Sequence, residues 1–176
     1  GEHFVVVWDD QRDGDVRVYG RLLTFDGTVA SVETPLTDLG LGAESPRLAL
    51  SRRSVGMVFK TGTADAQGVA FRTVSPDLAS VGPLVQLAED RAVEPAIASA
   101  GDRFFVAWHT RSGRGPGTAI DGAVLDEDGG LLVAPRRITS EAEFARSKTW
   151  IALGDRLLLL WAADRGDGYD LYAKLV

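Results

Sequence analysis

Several residue types that would indicate particular classes of protein are missing from this chain of 176 residues. It contains no cysteine, so neither a disulfide framework nor a thiolate metal site can form. It contains no asparagine, so it has no N-glycosylation acceptor. The longest unbroken apolar run, Leu157 to Ala163, is far shorter than the roughly 20 residues that a membrane-spanning helix needs. These absences exclude a disulfide-rich module and a helical membrane span.

An excess of basic charge is missing as well. The 19 lysine and arginine residues are outnumbered by 25 acidic residues, which gives a net charge of -6. The basic residues are also spread along the sequence, whereas proteins that bind phosphate backbones gather them on one patch or stripe. We therefore expect no nucleic-acid partner.

What the sequence does contain is a segment that recurs four times at a constant step of 51 residues. The four copies of this segment begin at Val18, Val69, Ile120 and Leu171. The turn that follows keeps the same step and contains Asp26, Asp77 and Asp128. A shared register of two different features is hard to produce by chance, so the chain is a tandem repeat.

Three further segments complete the repeat. One ends in a large aromatic residue, which is Trp8, Phe59, Trp108 or Trp161. Another begins at or near proline and covers 45–50, 94–99 and 148–153. The last is the weakest and lies around 33–37, 84–87 and 136–138. In chain order within one unit, the proline-led segment is first, the aromatic-ended segment second, the constant-step segment third and the weak segment fourth.

Each segment has the length and the chemistry of a β-strand, with β-branched or aromatic residues bounded by turn residues. Four short antiparallel strands that recur about every 50 residues are typical of a β-propeller blade. We predict an all-β propeller or propeller fragment of about three and a half four-stranded blades, formed by residues 1–40, 45–88, 94–138 and 148–176. The four aromatic residues that end the second strands are expected in the core between blades.

In this register the first blade lacks its first strand and the last blade lacks its fourth. We expect the missing strands to come from a longer parent chain or from self-association, or the two partial blades to close on each other.

The first copy reads Trp8-Asp9-Asp10-Gln11-Arg12, then Asp15 to Gly20, then Asp26-Gly27-Thr28. This pattern resembles tandem repeats of large secreted or surface proteins of Gram-negative bacteria, which carry Trp-x-Asp-x-Arg, Asp-Ile-Tyr-Gly and Asp-Gly. The resemblance covers essentially the whole chain and implies a propeller in an extracytoplasmic bacterial protein. It brings no catalytic residues with it.

Two groups of residues are candidates for binding. Asp9, Asp13 and Asp15 could supply oxygen ligands to calcium, although aspartates that cap turn amides explain them more simply. Arg165, Gly166 and Asp167 form a tripeptide that some animal integrins recognise, in a loop predicted to be an exposed hairpin tip. No other cofactor is indicated.

No catalytic constellation is recognisable. His109 is predicted to be an exposed turn residue, and Glu44 and Glu94, at the starts of two first strands, are interpreted as polar loop residues.

We therefore expect a non-catalytic binding or scaffold propeller whose ligand is a glycan or a protein. One alternative is a fragment of a propeller-fold glycoside hydrolase or lyase whose catalytic acids lie partly outside this chain. Another is a repeat with a purely structural role in assembly.

Overall fold

The computed structural model describes residues 3–63, 66–111, 118–139, 144–153, 156–164, 166 and 168–176. These residues form fourteen β-strands and no helix, so none of their elements could cross a membrane as an apolar helix. The strands are β1 (His3–Asp10), β2 (Arg17–Thr24), β3 (Thr34–Pro35), β4 (Glu44–Leu50), β5 (Val55–Thr63), β6 (Ala66–Val74), β7 (Val85–Ala88), β8 (Ala92–Ala100), β9 (Arg103–Arg111), β10 (Thr118–Asp126), β11 (Leu131–Arg137), β12 (Phe144–Leu153), β13 (Arg156–Asp164) and β14 (Tyr169–Leu175).

The strands pair in sequence order into four antiparallel units, which we call blades 1 to 4. Blade 1 is β1-β2-β3, blade 2 is β4-β5-β6-β7, blade 3 is β8-β9-β10-β11, and blade 4 is β12-β13-β14. A single parallel bridge between Thr118 and Phe144 links blades 3 and 4. The prediction of an all-β propeller fragment with about three and a half four-stranded blades is confirmed.

The first strands of neighbouring blades lie next to each other. β4 contacts β8, and β8 contacts β12; in blade 1, which has no first strand among the described residues, the second strand β1 contacts β4. Their convergence makes the first strands the inner strands of the array, as expected for the small residues Ala49, Ala96 and Ala98.

The core lies between blades rather than within them. Three buried clusters fill the contacts of blade 1 with 2, blade 2 with 3, and blade 3 with 4. Phe59, Trp108 and Trp161 are buried in these clusters, as expected for the aromatic end of the second strand. Trp8 is only half-buried, because β1 belongs to the first blade of the array and no preceding blade is present in the described residues.

The chain that follows the fourth strand is tied to the third strand in the same way in blades 1 and 3. The hydroxyl oxygen of Thr37 accepts a hydrogen bond from the Val18 amide at 2.9 Å, and that of Thr139 accepts one from the Ile120 amide at 2.9 Å. The fourth segment agrees with the structure in blades 1 and 2, where β3 and β7 overlap the predicted 33–37 and 84–87, whereas β11 begins at Leu131, ahead of the predicted 136–138.

Candidate functional site

The inner strands share an irregularity at the same place. Each has a β-bulge where it begins to pair with the second strand, in β4, β8 and β12. The bulged residues adopt the left-handed backbone conformation, with φ of 54° at Ser45, 52° at Glu94 and 44° at Ser147. None of them is glycine, so the conformation is strained, and such strain persists mostly at functional sites. The three bulges mark one end of the inner strands.

A cluster of three ionisable side chains lies at this end of blades 3 and 4. Nδ1 of His109 on β9 lies 3.1 Å from Oε2 of Glu94 on β8. Lys148 on β12 lies with its Nζ 3.4 Å from the same nitrogen, and it donates a hydrogen bond to the backbone carbonyl of Glu94. The cluster therefore joins two blades.

The members of the cluster differ in exposure. His109 is 3% exposed, whereas the Glu94 side chain is 70% exposed and faces solvent. The Nε2 atom of His109 is buried and, among the described residues, has no hydrogen-bond partner. A buried imidazole thus supports a carboxylate that a ligand can reach.

Burial also sets the charges. It lowers the pKa of His109 to about 4, with the positive charge of Lys148 adding to the effect and Glu94 opposing it. Burial lowers the pKa of Lys148 to about 8, an effect that Glu94 partly offsets. At neutral pH the cluster contains a neutral histidine and a lysine that is mostly protonated. The protonated lysine can attract a negative group, and the exposed Glu94 can reach a ligand.

The same repeat positions contribute side chains in blades 1 and 2. Asp9, Lys60 and His109 each follow the aromatic residue of a second strand directly. Asp9 accepts a hydrogen bond from the Ser45 amide at 3.0 Å, and Lys60 pairs with Glu44 at 2.9 Å. The polar end is therefore a property of the repeat rather than of blade 3 alone.

These elements surround an open cavity of about 600 Å³. It is bounded by the bulges of blades 2, 3 and 4 and by the polar side chains of β4, β5, β6, β8, β9 and β12. Its charged and polar lining residues are Ser45, Arg47, Lys60, Gln67, Glu94, Arg111, Ser147 and Lys148. We call this cavity the inner mouth.

The three aspartates predicted to bind calcium do not form one group. Asp9 lies at the inner mouth, whereas Asp13 receives hydrogen bonds from Tyr19 and, at 3.3 Å, from Arg17. Asp15 receives the amides of Val16 at 2.9 Å and Gly40 at 2.5 Å. No group of three possible metal ligands occurs in the part of the chain that the structure describes. Asp9 and Asp15 thus accept backbone amides, and Asp13 accepts side-chain donors.

Of the tripeptide in the β13–β14 loop, Arg165 and Asp167 lie outside the described residues. Gly166 has a φ of 118° and donates its amide hydrogen to Oδ1 of Asp164 at 2.8 Å. This is the geometry of a tight turn held by its own aspartate.

Three sequence-based interpretations need correction. His109 is a buried strand residue and not an exposed turn residue. Glu44 and Glu94 lie in β4 and β8, not in loops. Sequence reasoning missed Lys148 entirely. The repeat register did hold a signal for this site. His109 directly follows the aromatic residue of the second strand, and the bulge of the first strand in the same blade lies next to it.

The fold resembles those of solved carbohydrate-active enzymes. An endo-arabinase from Bacteroides thetaiotaomicron matches with a TM-score of 0.61 at 14% identity, covering 99% of this chain and 71% of that chain. A β-fructofuranosidase from Bombyx mori matches with a TM-score of 0.58 at 12% identity, covering 96% and 42%. An α-L-arabinofuranosidase from Lactobacillus brevis gives 0.50 at 10% identity, covering 97% and 72%. At these identities the likeness shows the fold alone.

No protein-family model and no curated protein matches the chain, so the resemblance to bacterial surface repeats stays a prediction. The expectation of a non-catalytic binding or scaffold module is contradicted, because the structures that share the fold are glycosidases by name.

Proposed function

We propose that this chain is part of an extracytoplasmic propeller glycoside hydrolase and that its inner mouth binds the sugar. The observation that carries the proposal is the Glu94–His109–Lys148 cluster beside the strained bulge at Glu94. The likeness in fold to an arabinase and two furanosidases supports it.

Hydrolysis of a glycosidic bond requires one group that protonates the leaving oxygen and a second carboxylate that acts as base or nucleophile. Glu94 is the candidate for one of these two groups, because its carboxyl group is exposed and its Oε2 is within hydrogen-bonding distance of a buried histidine. The other group would come from blades 1 and 2 or from outside this chain. Within the chain, Glu44 and Asp9 are the candidates, because they contact the lining residues Lys60, at 2.9 Å, and Ser45, at 3.0 Å.

The test is release of reducing ends from arabinan, xylan, levan and polygalacturonate, compared with the Glu94→Gln variant. Loss of a catalytic carboxyl group should lower the rate by about 10²- to 10⁴-fold. Glu89→Gln is the matched control, because Glu89 is exposed on the β7–β8 connection and does not line the mouth, and it should leave the rate unchanged. A chain that neither cleaves nor binds any of these glycans, or a Glu94→Gln variant with full activity, would contradict the proposal.

A further inference from the structure

The lining of the inner mouth is basic, although the chain as a whole is acidic. The lining contains four cations, Arg47, Lys60, Arg111 and Lys148, and one carboxylate, Glu94. The net charge of the whole chain is -6. Two of these cations, Arg47 and Lys148, lie on inner strands, and the other two lie on the neighbouring second strands β5 and β9.

Only part of that positive charge is neutralised by the protein. Lys60 is paired with Glu44 at 2.9 Å, on the blade 2 edge of the mouth, where Asp9 also lies. Among the described residues, neither Arg47 nor Arg111 forms an ion pair. Arg47 makes one hydrogen bond, to the adjacent carbonyl of Pro46 at 2.9 Å. The two guanidinium groups thus have donors to offer a ligand.

Lys148 adds a cation that is set deeper in the mouth. Its Nζ is held between the Glu94 carbonyl and His109 Nδ1, so its position is fixed rather than free to follow solvent. A partly desolvated ammonium group gains more from an incoming anion than a surface lysine does, because the local dielectric is lower.

The apolar part of the lining also favours recognition by charge. Among the described residues that line the mouth, none is aromatic; the non-polar members are Val93, Pro95 and Ala96. Binding pockets usually rely on hydrophobic and aromatic walls with a few polar groups. Here charge and hydrogen bonding must supply most of the recognition.

We propose that the inner mouth recognises the anionic group of an acidic sugar, with the carboxylate of a uronic acid as the ligand that fits best. The inference rests on the proposed function, since it names the substrate class for the same site. A guanidinium group offers two parallel donors that match a carboxylate, and Arg47 and Arg111 are the residues placed to make that contact. Glu94 is then left on the same wall to act on the neighbouring glycosidic oxygen.

The experiment is isothermal titration of the chain with three probes: trigalacturonate, a sulfated disaccharide, and a neutral arabino-oligosaccharide. Binding needs no turnover, so the measurement is independent of catalytic activity. The acidic probes should bind at least roughly tenfold more tightly than the neutral one, and the difference should shrink as salt is raised. A preference for trigalacturonate over the sulfated probe identifies the carboxylate, and the reverse preference identifies a sulfate ester as the anion.

Arg47→Gln should weaken binding of the preferred acidic probe by about tenfold or more, since it removes a charge-assisted contact. Arg111→Gln is the second variant in case the first perturbs the bulge, and circular dichroism melts verify that each folds. Arg52→Gln makes the same change of charge on the β4–β5 turn, at the opposite end of β4, and should bind like the wild type.

Two failures are distinguishable. Equal binding of neutral and acidic probes, with no effect of Arg47→Gln or Arg111→Gln, overturns the acidic substrate and leaves a glycan-binding mouth intact. Absence of binding to all three probes overturns the inference and counts against the proposed function as well.

Discussion

The middle and the ends of the array are built from the same repeat, but equivalent residues are buried in the middle and exposed at the ends. The third strands contain the equivalent residues Val18, Val69, Ile120 and Leu171, one repeat apart. The first three of these residues are fully buried, whereas Leu171 is 85% exposed. The residue types are equivalent, so the difference lies in what faces them: a following blade covers Val18, Val69 and Ile120, and no described residue covers Leu171.

The opposite face of the array shows the same contrast. Phe4 on β1 is 52% exposed, while its counterparts Val55, Phe104 and Leu157 are at most 3% exposed. Val55 and Phe104 lie in clusters shared with the preceding blade, and Phe4 has no preceding blade in the described residues. Burial in this molecule is therefore decided by the neighbouring blade, and both outer faces have the apolar character of an interior surface.

The middle also has a polar connection that the ends lack. Glu127, in the β10–β11 turn of blade 3, accepts hydrogen bonds from Ser51 at 2.7 Å and from the side chain of Arg53 at 2.7 Å. Both donors lie in the β4–β5 turn of blade 2, and they lower the pKa of Glu127 to about 2. At the corresponding positions of the first and second copies the sequence has Phe25 and Pro76, so this connection is particular to blades 2 and 3.

The largest effect is expected from the middle aromatic. Trp108 is 2% exposed between blades 2 and 3, and Trp108→Ala should lower the free energy of unfolding by about 3 to 5 kcal/mol. Trp8→Ala removes the equivalent half-buried residue of blade 1 and should cost clearly less. Chemical denaturation measures both. Equal losses would show that the two ends are packed like the middle.

The contrast at the third strand gives the next largest effect. Ile120→Ala should lower the free energy of unfolding by about 2 to 4 kcal/mol, since it opens a cavity in a closed core. Leu171→Ala, one repeat later, should change it by less than about 0.5 kcal/mol, because the side chain is already in solvent. If Leu171→Ala were as damaging as Ile120→Ala, the outer face would have to be covered in solution.

The buried histidine of the Glu94–His109–Lys148 cluster predicts that the stability of the folded chain falls over a limited acidic pH range. The pKa of His109 is about 4 in the folded chain against an ordinary 6.5, so the unfolded chain binds the extra proton between these values. Stability should therefore fall as pH drops from 6.5 to 4, by roughly 2 to 3 kcal/mol. Lys148, which faces His109 from β12 with a pKa of about 8, stays charged throughout this window.

Denaturation curves at several pH values test this window. His109→Gln should remove most of the loss between pH 6.5 and 4, while Glu94→Gln, which changes the group facing His109 from β8, should keep it. The carboxyl group of Glu127 contributes to the pH dependence of stability only below about pH 4.5, because its pKa is lowered to about 2 in the folded chain. An unchanged pH dependence in His109→Gln would rule out the buried neutral imidazole.

The smallest effect is expected on self-association, which the uncovered outer faces should promote. Exposed apolar residues on one outer face, Leu171 and Leu175 among them, should make the isolated chain self-associate as its concentration rises. Leu171→Glu should reduce the weight-average sedimentation coefficient toward that of a monomer. A wild-type chain that stays monodisperse and monomeric at high concentration would show that the outer faces need no partner.

Much of the fold could be predicted from the sequence because a propeller blade is a local structure. Its strands follow one another in the chain, so the 51-residue step and the turn residues were enough to place the second and third strands. The parts that depend on neighbouring blades were not predictable in the same way. The half-burial of Trp8 and the burial of His109 follow from which blade lies alongside, and no periodicity in the segment itself encodes that.

The inner mouth was harder still to foresee. Its central contact brings together β8, β9 and β12, and Glu94 and Lys148 are separated by a whole repeat. The bulges that turn these residues toward one another occur at serine and glutamate, which give no sign of a left-handed backbone in the sequence. The sequence places Glu44 and Glu94 near the inner strands, but only the structure gives them partners.

The most direct test of the inner mouth as the functional site is amide chemical-shift mapping of the chain titrated with trigalacturonate. The account predicts perturbations concentrated at the inner-strand bulges and their partners, around Ser45, Lys60, Glu94, His109 and Lys148. Perturbations confined to the outer turns at 26–28, 77–79 and 126–130, with the mouth unchanged, would contradict it.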